Sequence, residues 1–145
     1  MSAALIAPAA TFTLCSSAPR ITCVVDGDTF WLQGEKIRIS DINAPETSQP
    51  GCTYDAELGQ RAKLRLTALL IGGRIELVAA DRERDRYGRL LREVRRDGRS
   101  LGAVLIAEGL AEPWRGKRSD WWRVRASGEK ACPEPVEGWE PVFRE

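Results

Sequence analysis

The chain has 145 residues, of which 43% are hydrophobic and 30% charged, and this composition suits one folded domain with a solvated surface. No apolar run approaches the eighteen or more residues of a membrane span. The chain has no histidine and no Cys-x-x-Cys pair, which argues against a zinc site. The net charge is +1, but residues 126–145 hold five acidic and two basic side chains, so residues 1–125 carry a net charge of +4. A mildly basic body favours polyanion binding without requiring it.

The N-terminal segment, residues 1–19, has a weakly apolar middle followed by small residues, as an export signal has, but it lacks a basic start. We interpret it as a signal remnant or an N-terminal extension, and favour a secreted or periplasmic protein. The four cysteines are Cys15, Cys23, Cys52 and Cys132. They allow three disulfide pairings, or none if they are reduced, and the short separation of Cys15 and Cys23 favours a bridge between those two.

Residues 20–42 contain three β-branched and aromatic runs separated by Asp26-Gly27 and by Gln33-Gly34-Glu35, which predicts a three-stranded meander. Prolines and small polar residues then indicate a loop over residues 43–53. Apolar residues at helical spacing from Leu58 to Leu70 predict an amphipathic helix, which ends at Gly72-Gly73.

The second half of the chain predicts strands at residues 74–80 and 90–96, with a turn at residues 84–88. Ser100 is placed to cap a second helix, and Gly109 to end it. This element order predicts an α+β fold dominated by β structure, a five-stranded OB-type barrel with two to three helices.

The predicted domain covers residues 20–125, and residues 126–145 form an acidic, proline-containing tail that we expect to be disordered. Tryptophans and arginines alternate in residues 111–125. Such a segment could stack bases and hold phosphates, or it could be a third helix whose tryptophans close one end of the barrel.

Three motifs stand in order along the chain: Asp26-Gly27-Asp28-Thr29, then RISDINAPET over residues 38–47, then DRYGR over residues 85–89. Together they resemble the staphylococcal nuclease, or thermonuclease, family. The resemblance runs from about Arg20 to Trp114. It implies an SNase-like fold and a calcium-dependent phosphodiesterase that acts on DNA or RNA, without membrane association and as a monomer.

The resemblance also implies roles for individual residues. Asp28, position 43 and the backbone carbonyl of Ala44 match calcium ligands, and hard oxygen donors suit that ion. Glu46 matches the general base, and Arg38 and Arg89 match the two arginines that grip the scissile phosphate. The substrate-binding residues that we expect beside them are Arg86, Tyr87, Trp114 and Arg115.

One position departs from the family pattern. Asn43 stands where the family commonly has a calcium-binding aspartate, and Ala44 replaces a common threonine. An amide oxygen can still coordinate calcium, but it brings no negative charge. Asp41, two residues earlier, would share a strand face with position 43 and could compensate if the strand extends that far.

Simpler interpretations exist for several of these residues. A hairpin turn accounts for Asp26, a tight turn at Tyr87-Gly88 could serve only to position Arg89, and Arg38 could face solvent. Glu46 alone would be an ordinary loop acid. The main rival to a nuclease is therefore an OB-type binding module for nucleic acid or protein that has lost catalysis, and a protein-interaction domain is a third alternative.

Overall fold

The computed structural model describes residues 4–7, 11–16, 19–47 and 53–117, without the side chains of residues 4–7 and 53–55. The helices are α1 (Thr53–Ile71) and α2 (Leu101–Ala107). The strands are β1 (Ala4–Ala7), β2 (Thr13–Leu14), β3 (Cys23–Asp26), β4 (Thr29–Leu32), β5 (Glu35–Ile39), β6 (Ile42–Asn43), β7 (Ile75–Arg84), β8 (Leu90–Arg96), β9 (Arg99–Ser100) and β10 (Glu112–Pro113).

The main sheet is mixed, with the strand order β1-β7-β8-β5-β4-β3-β2, and β9 pairs with β8. The pairs β2–β3 and β5–β8 are parallel, and the others are antiparallel. A separate two-stranded ladder joins β6 to β10. The predicted α+β fold dominated by strands is confirmed. Within the described residues the sheet is an open path, so closure into a barrel stays a prediction.

The segment before residue 20 contributes to both edges of this sheet. β1 pairs with β7 at one edge, and β2 pairs with β3 at the other. Phe12 is buried and contacts Phe30 edge to face, with 5.9 Å between ring centroids. A disulfide joins Cys15 to Cys23, which confirms the favoured pairing. Cys52 and Cys132 lie outside the residues described.

The predicted meander is confirmed as β3, β4 and β5, in antiparallel order. The turn between β4 and β5 holds Gln33 and Gly34 at φ of 50° and 83°, a left-handed pair that matches the twist of a tight hairpin. The turn between β3 and β4 uses Gly27 for a different reason. A Cβ atom there would lie 2.7 Å from Ala62 Cβ and 3.0 Å from Ala44 Cβ, so α1 and the loop after β6 can approach the turn only because position 27 is glycine.

Both predicted helices are present: α1 has the predicted apolar face, and α2 has the predicted cap. The buried face of α1 carries apolar residues at helical spacing, including Leu58, Ala62, Leu66 and Leu70. Ser100 caps α2 by accepting a hydrogen bond from the Ala103 N–H at 3.1 Å. No helix in the described ranges combines the length and the apolar character that a membrane crossing needs.

The segment after α2 differs from the alternative of a third helix over residues 111–125. Residues 112 and 113, which that alternative placed in a third helix, form β10 against β6. Trp121, Trp122 and the 126–145 tail lie beyond the part of the chain that is described.

The core is formed by apolar side chains of α1, α2 and the strands. Its fully buried large side chains are Val24, Phe30, Ile37, Ile39, Ile42, Leu66, Leu70, Val94 and Leu105.

Candidate active site

Asp28, in the turn between β3 and β4, is the centre of the candidate site. Its carboxylate is almost completely buried, and each oxygen accepts a hydrogen bond at 2.9 Å: Oδ1 from the Thr29 hydroxyl and Oδ2 from the Ala44 N–H. One carboxylate therefore connects the first motif to the second, and it fixes the start of the loop that carries Glu46.

Arg38 lies beside Asp28 because Arg38 pairs with Thr29 across β4 and β5. Its Nη2 is 3.6 Å from Asp28 Oδ2, and its Nη1 donates to the carbonyl oxygens of Ile39 and Ile42, the latter at 2.9 Å. The side chain is only 9% exposed. The interpretation of Arg38 as a solvent-facing strand residue is therefore wrong, since its guanidinium is oriented by fixed backbone groups next to a buried carboxylate.

Trp114 covers the Arg38 guanidinium. The distance from Arg38 Cζ to the centroid of the indole ring is 5.1 Å, which is within the range of a cation–π contact. Trp114 follows β10. Its backbone N–H donates to the Asp41 carbonyl oxygen at 2.9 Å and holds the residue there. Trp114 and Arg115 are both exposed. Trp114, predicted to bind substrate, therefore borders the Asp28–Arg38 pair.

Asn43 and Ala44 are fully buried at the end of β6. Asn43 is paired in register with Glu112 of β10, and its Nδ2 donates to Glu112 Oε1 at 3.3 Å. Sequence reasoning did not identify Glu112, because it is 69 residues from Asn43 and belongs to none of the three motifs.

Asp26 has a larger role than its hairpin turn requires. Its Oδ1 accepts hydrogen bonds from both the N–H and the hydroxyl of Thr47, at 2.9 and 2.7 Å. Asp26 therefore holds Thr47, just as Asp28 holds Ala44. Glu46 is half-buried and lies between these two held positions, and a positioned base requires such restraint.

The surroundings of Asp26 raise its proton affinity. Burial and then the charge of Asp28 raise the pKa of Asp26 to about 6, with a smaller contribution from Glu46, although the hydrogen bonds from Thr47 oppose the rise. The ionised form of Asp26 is therefore disfavoured first by the loss of hydration and second by the carboxylate beside it.

Asp85 organises the turn before β8. Its Oδ1 accepts from the N–H groups of Tyr87 and Arg89 at 3.0 Å, and its Oδ2 accepts from Arg89 Nε at 2.7 Å. Burial alone would raise the pKa of Asp85, but the hydrogen bonds from Arg89 outweigh it and lower that pKa. Gly88 completes the turn at a φ of 82°. The turn thus fixes the backbone and the guanidinium of Arg89 together.

Tyr87 stands out from this turn, with 68% of its surface exposed, and two guanidinium groups lie against its ring. Arg86 Cζ is 4.9 Å and Arg89 Cζ 5.3 Å from the ring centroid. The turn leads into β8, whose Leu91 pairs with Arg38. The third motif therefore directly precedes the strand that pairs with β5, although Arg89 contacts Asp85 and Tyr87 rather than the Asp28 cluster.

The donors predicted for a metal ion are oxygen atoms of Asp28, Asn43 and Ala44. Among the described residues no three Asp, Glu, His or Cys side chains are grouped as a metal cluster. The available donors are the Asp28 carboxylate, the Asn43 amide oxygen and the Ala44 carbonyl, which are hard oxygens of the kind that calcium accepts together with water. By the chemistry of its donors, this set fits a hard divalent cation.

Asp41 does not add a donor to the proposed calcium ligands. Its Oδ2 accepts from the Ser100 hydroxyl at 2.8 Å, and both carboxylate oxygens face the position where a Cβ of Gly102 would lie. Burial first, and the charge of Glu93 to a smaller extent, raise its pKa. Asp41 is thus directed to the start of α2.

Comparison with known proteins gives a consistent result. The family model for staphylococcal nuclease homologues matches residues 36–127. Endonuclease YncB of Bacillus subtilis (strain 168) is 38% identical over 93 residues, which cover 60% of this chain and 43% of that protein. The SPbeta prophage-derived endonuclease YokF of the same strain is also 38% identical over 93 residues, covering 60% of this chain and 31% of its own length. The chain thus spans less than half the length of either relative.

Proposed function

Because the chain belongs to the staphylococcal nuclease homologue family, we propose that it is a calcium-dependent nuclease that hydrolyses phosphodiester bonds of DNA or RNA. The observation that carries the proposal is the buried contact of Asp28 with Arg38 and with the Ala44 N–H, at 3.6 and 2.9 Å. This contact joins the Asp28 carboxylate, the Arg38 guanidinium and the loop that carries Glu46, which come from separate parts of the sequence. The names of both endonuclease relatives support the same reaction class.

In the proposed mechanism, Arg38 and Arg89 hold the phosphate and offset the charge that gathers on it in the transition state. Arg38 is suited to this role because two backbone carbonyls and the Trp114 ring fix its guanidinium before substrate arrives. Arg89 is pre-oriented by Asp85, and it could exchange part of that contact for a phosphate oxygen. Each arginine would lower the barrier by roughly 3–4 kcal/mol, as one preorganised donor does.

Glu46 is the proposed general base, which takes the proton from the attacking water. Its loop is anchored by Asp28 at Ala44 and by Asp26 at Thr47, and this anchoring limits the loss of positioning that a loose loop would suffer. Calcium, held by Asp28, Asn43 and the Ala44 carbonyl, would supply positive charge to the phosphate oxygens.

Substrate would extend from the proposed site over nearby exposed aromatic and basic residues. Tyr87, flanked by Arg86 and Arg89, and Trp114, followed by Arg115, present rings on which bases can stack next to guanidinium groups that contact phosphates. Stacking of this kind discriminates weakly among sequences, so we propose weak sequence preference.

We further propose that the protein acts as a monomer in a secreted or periplasmic location. The Cys15–Cys23 disulfide supports an oxidising compartment, where such bridges persist.

Incubation with supercoiled plasmid and with RNA, in calcium, in magnesium and in excess chelator, tests the proposal. We expect cleavage that requires divalent metal, with calcium at least as effective as magnesium. The Glu46→Gln variant should lose roughly a hundredfold or more in turnover at nearly unchanged thermal stability. Glu57→Gln, an exposed change on α1, is the matched control.

Full activity in chelator would remove the metal from the mechanism. Equal activity of the Glu46→Gln variant would remove Glu46 as the base. A gel shift of the nucleic acid without cleavage under every condition would favour the binding module instead.

A further inference from the structure

Glu112 is the acidic group of this site that lies outside the family motifs. We propose that Glu112 is a positioning residue that orients the Asn43 amide for the cation and supplies the negative charge that Asn43 lacks. The inference rests on the proposed metal site. It starts from the hydrogen bond of Asn43 Nδ2 to Glu112 Oε1, at 3.3 Å, inside the β6–β10 ladder.

A carboxylate partner decides which way the Asn43 amide faces. An ionised carboxylate only accepts hydrogen bonds, so the group opposite it must be the amide NH2 and cannot be the amide oxygen. The oxygen of Asn43 is then the end that faces away from Glu112. A glutamine at position 112 would present either an oxygen or an NH2, and it would therefore accept both orientations of Asn43.

The position of Glu112 is itself fixed by backbone contacts. Glu112 is in register with Asn43 in an antiparallel pair. Just beyond this ladder, the backbone N–H of Trp114 donates to the Asp41 carbonyl oxygen at 2.9 Å. The same short segment therefore places Glu112 against Asn43 and the Trp114 ring against Arg38. A carboxylate held in this way acts through a ligand and need not touch the metal itself, as groups next to metal ligands commonly do.

The charge argument explains how an amide can stand at position 43. Asn43 together with Glu112 carries one negative charge, the same as an aspartate at position 43 beside a neutral residue. The charge is one residue further from the cation, on a partly buried hydrogen bond. An aspartate at position 43 beside Glu112 would set two carboxylates against each other, and one of them would resist ionisation.

Calorimetric titration of the full-length protein with calcium tests the inference, using wild type, Glu112→Gln, Asn43→Asp and the exchange variant Asn43→Asp/Glu112→Gln. We expect Glu112→Gln to bind calcium about tenfold more weakly or worse. The exchange variant should recover at least the wild-type affinity, and it should bind more tightly than Asn43→Asp alone. Glu108→Gln, which removes an equal charge from an exposed pair with Arg65, is the matched control and should leave the affinity unchanged.

A second readout needs no metal. In the nitrogen–proton spectrum, the Asn43 side-chain NH2 signal, assigned by its loss in Asn43→Asp, should move and exchange faster in Glu112→Gln. Thermal unfolding of each variant separates misfolding from a local effect. If Glu112→Gln does not fold, the comparison of the exchange variant with Asn43→Asp decides the matter.

The outcomes are distinct. Calcium binding by wild type with unchanged affinity in a folded Glu112→Gln variant would overturn the inference and leave the proposed function standing. Failure of wild type to bind calcium would overturn the metal site and this inference together. Weaker binding by a folded Glu112→Gln variant, together with recovery of affinity in the exchange variant, is the result that a merely structural role for Glu112 does not produce.

Discussion

Replacement of Asp26 by asparagine should stabilise this protein at neutral pH. Asp26 is partly buried at the end of β3, and the loss of hydration followed by the charge of Asp28 raises its pKa from an ordinary value of 3.8 to about 6. The folded state therefore resists ionisation of this carboxyl group, whereas the unfolded chain does not. Asparagine removes the charge but keeps an oxygen that can accept the two hydrogen bonds from Thr47.

The magnitude follows from the linkage between proton binding and stability. The difference between 3.8 and about 6 corresponds to about 3 kcal/mol of unfolding free energy at pH 7. The new NH2 group must also be satisfied in a buried site, and an imperfect partner costs about 1 kcal/mol or more. We therefore expect a net gain of about 1–2 kcal/mol for Asp26→Asn at pH 7.

The sign of the pH dependence is set by the raised pKa. Below pH 3.8 the carboxyl group is protonated in both states, so its contribution to stability is fully present. That contribution is lost as the pH rises through about 6, because the unfolded state ionises first. The stability of wild type should thus fall relative to the Asp26→Asn variant between about pH 4 and pH 6, and the difference should be constant above that range.

Urea unfolding of both proteins at pH 4, 5, 6 and 7, in chelator so that no cation contributes, measures this difference. Asp81→Asn removes an exposed carboxylate and serves as the control, with an expected change within about 0.5 kcal/mol at each pH. A difference between Asp26→Asn and wild type that does not vary with pH would refute the electrostatic reasoning. Lower stability of Asp26→Asn at pH 7 would show that the Thr47 hydrogen bonds need the carboxylate.

Two further predictions concern packing and the disulfide. Gly27→Ala should lower the unfolding free energy by about 1–3 kcal/mol, because its Cβ would lie 2.7 Å from Ala62 Cβ; an unchanged urea midpoint would mean that α1 moves aside without cost. The double variant Cys15→Ala/Cys23→Ala should lose about 2–3 kcal/mol, as expected for opening a loop with a sequence separation of 8. Urea unfolding in the presence and absence of reductant checks this, since the variant should no longer respond to reductant as wild type does.

The amino-acid sequence predicts the elements whose signals are local. Runs of β-branched and aromatic residues separated by turns predict β3, β4 and β5, and helical spacing from Leu58 to Leu70 predicts α1. Strands joined by tight turns and single helices are encoded by neighbours in the chain. The three motifs identified Asp28 and Arg38 before any distance was known. Local signals did not predict the role of Asp26. Its position is explained by a turn, but its carboxylate binds Thr47, 21 residues later in the chain.

The contacts between these residues become visible only when the strands are paired in three dimensions. β6 and β10 are two residues long and have no periodicity to detect, yet their pairing sets Glu112 against Asn43 and Trp114 against Arg38. The pairing of β1 and β2 at the sheet edges is equally invisible in the sequence, where the same residues have the composition of an export signal. Contacts of this kind depend on which backbones meet after the core has packed, and the free energy that selects them comes from burial of the whole domain rather than from the residues that touch.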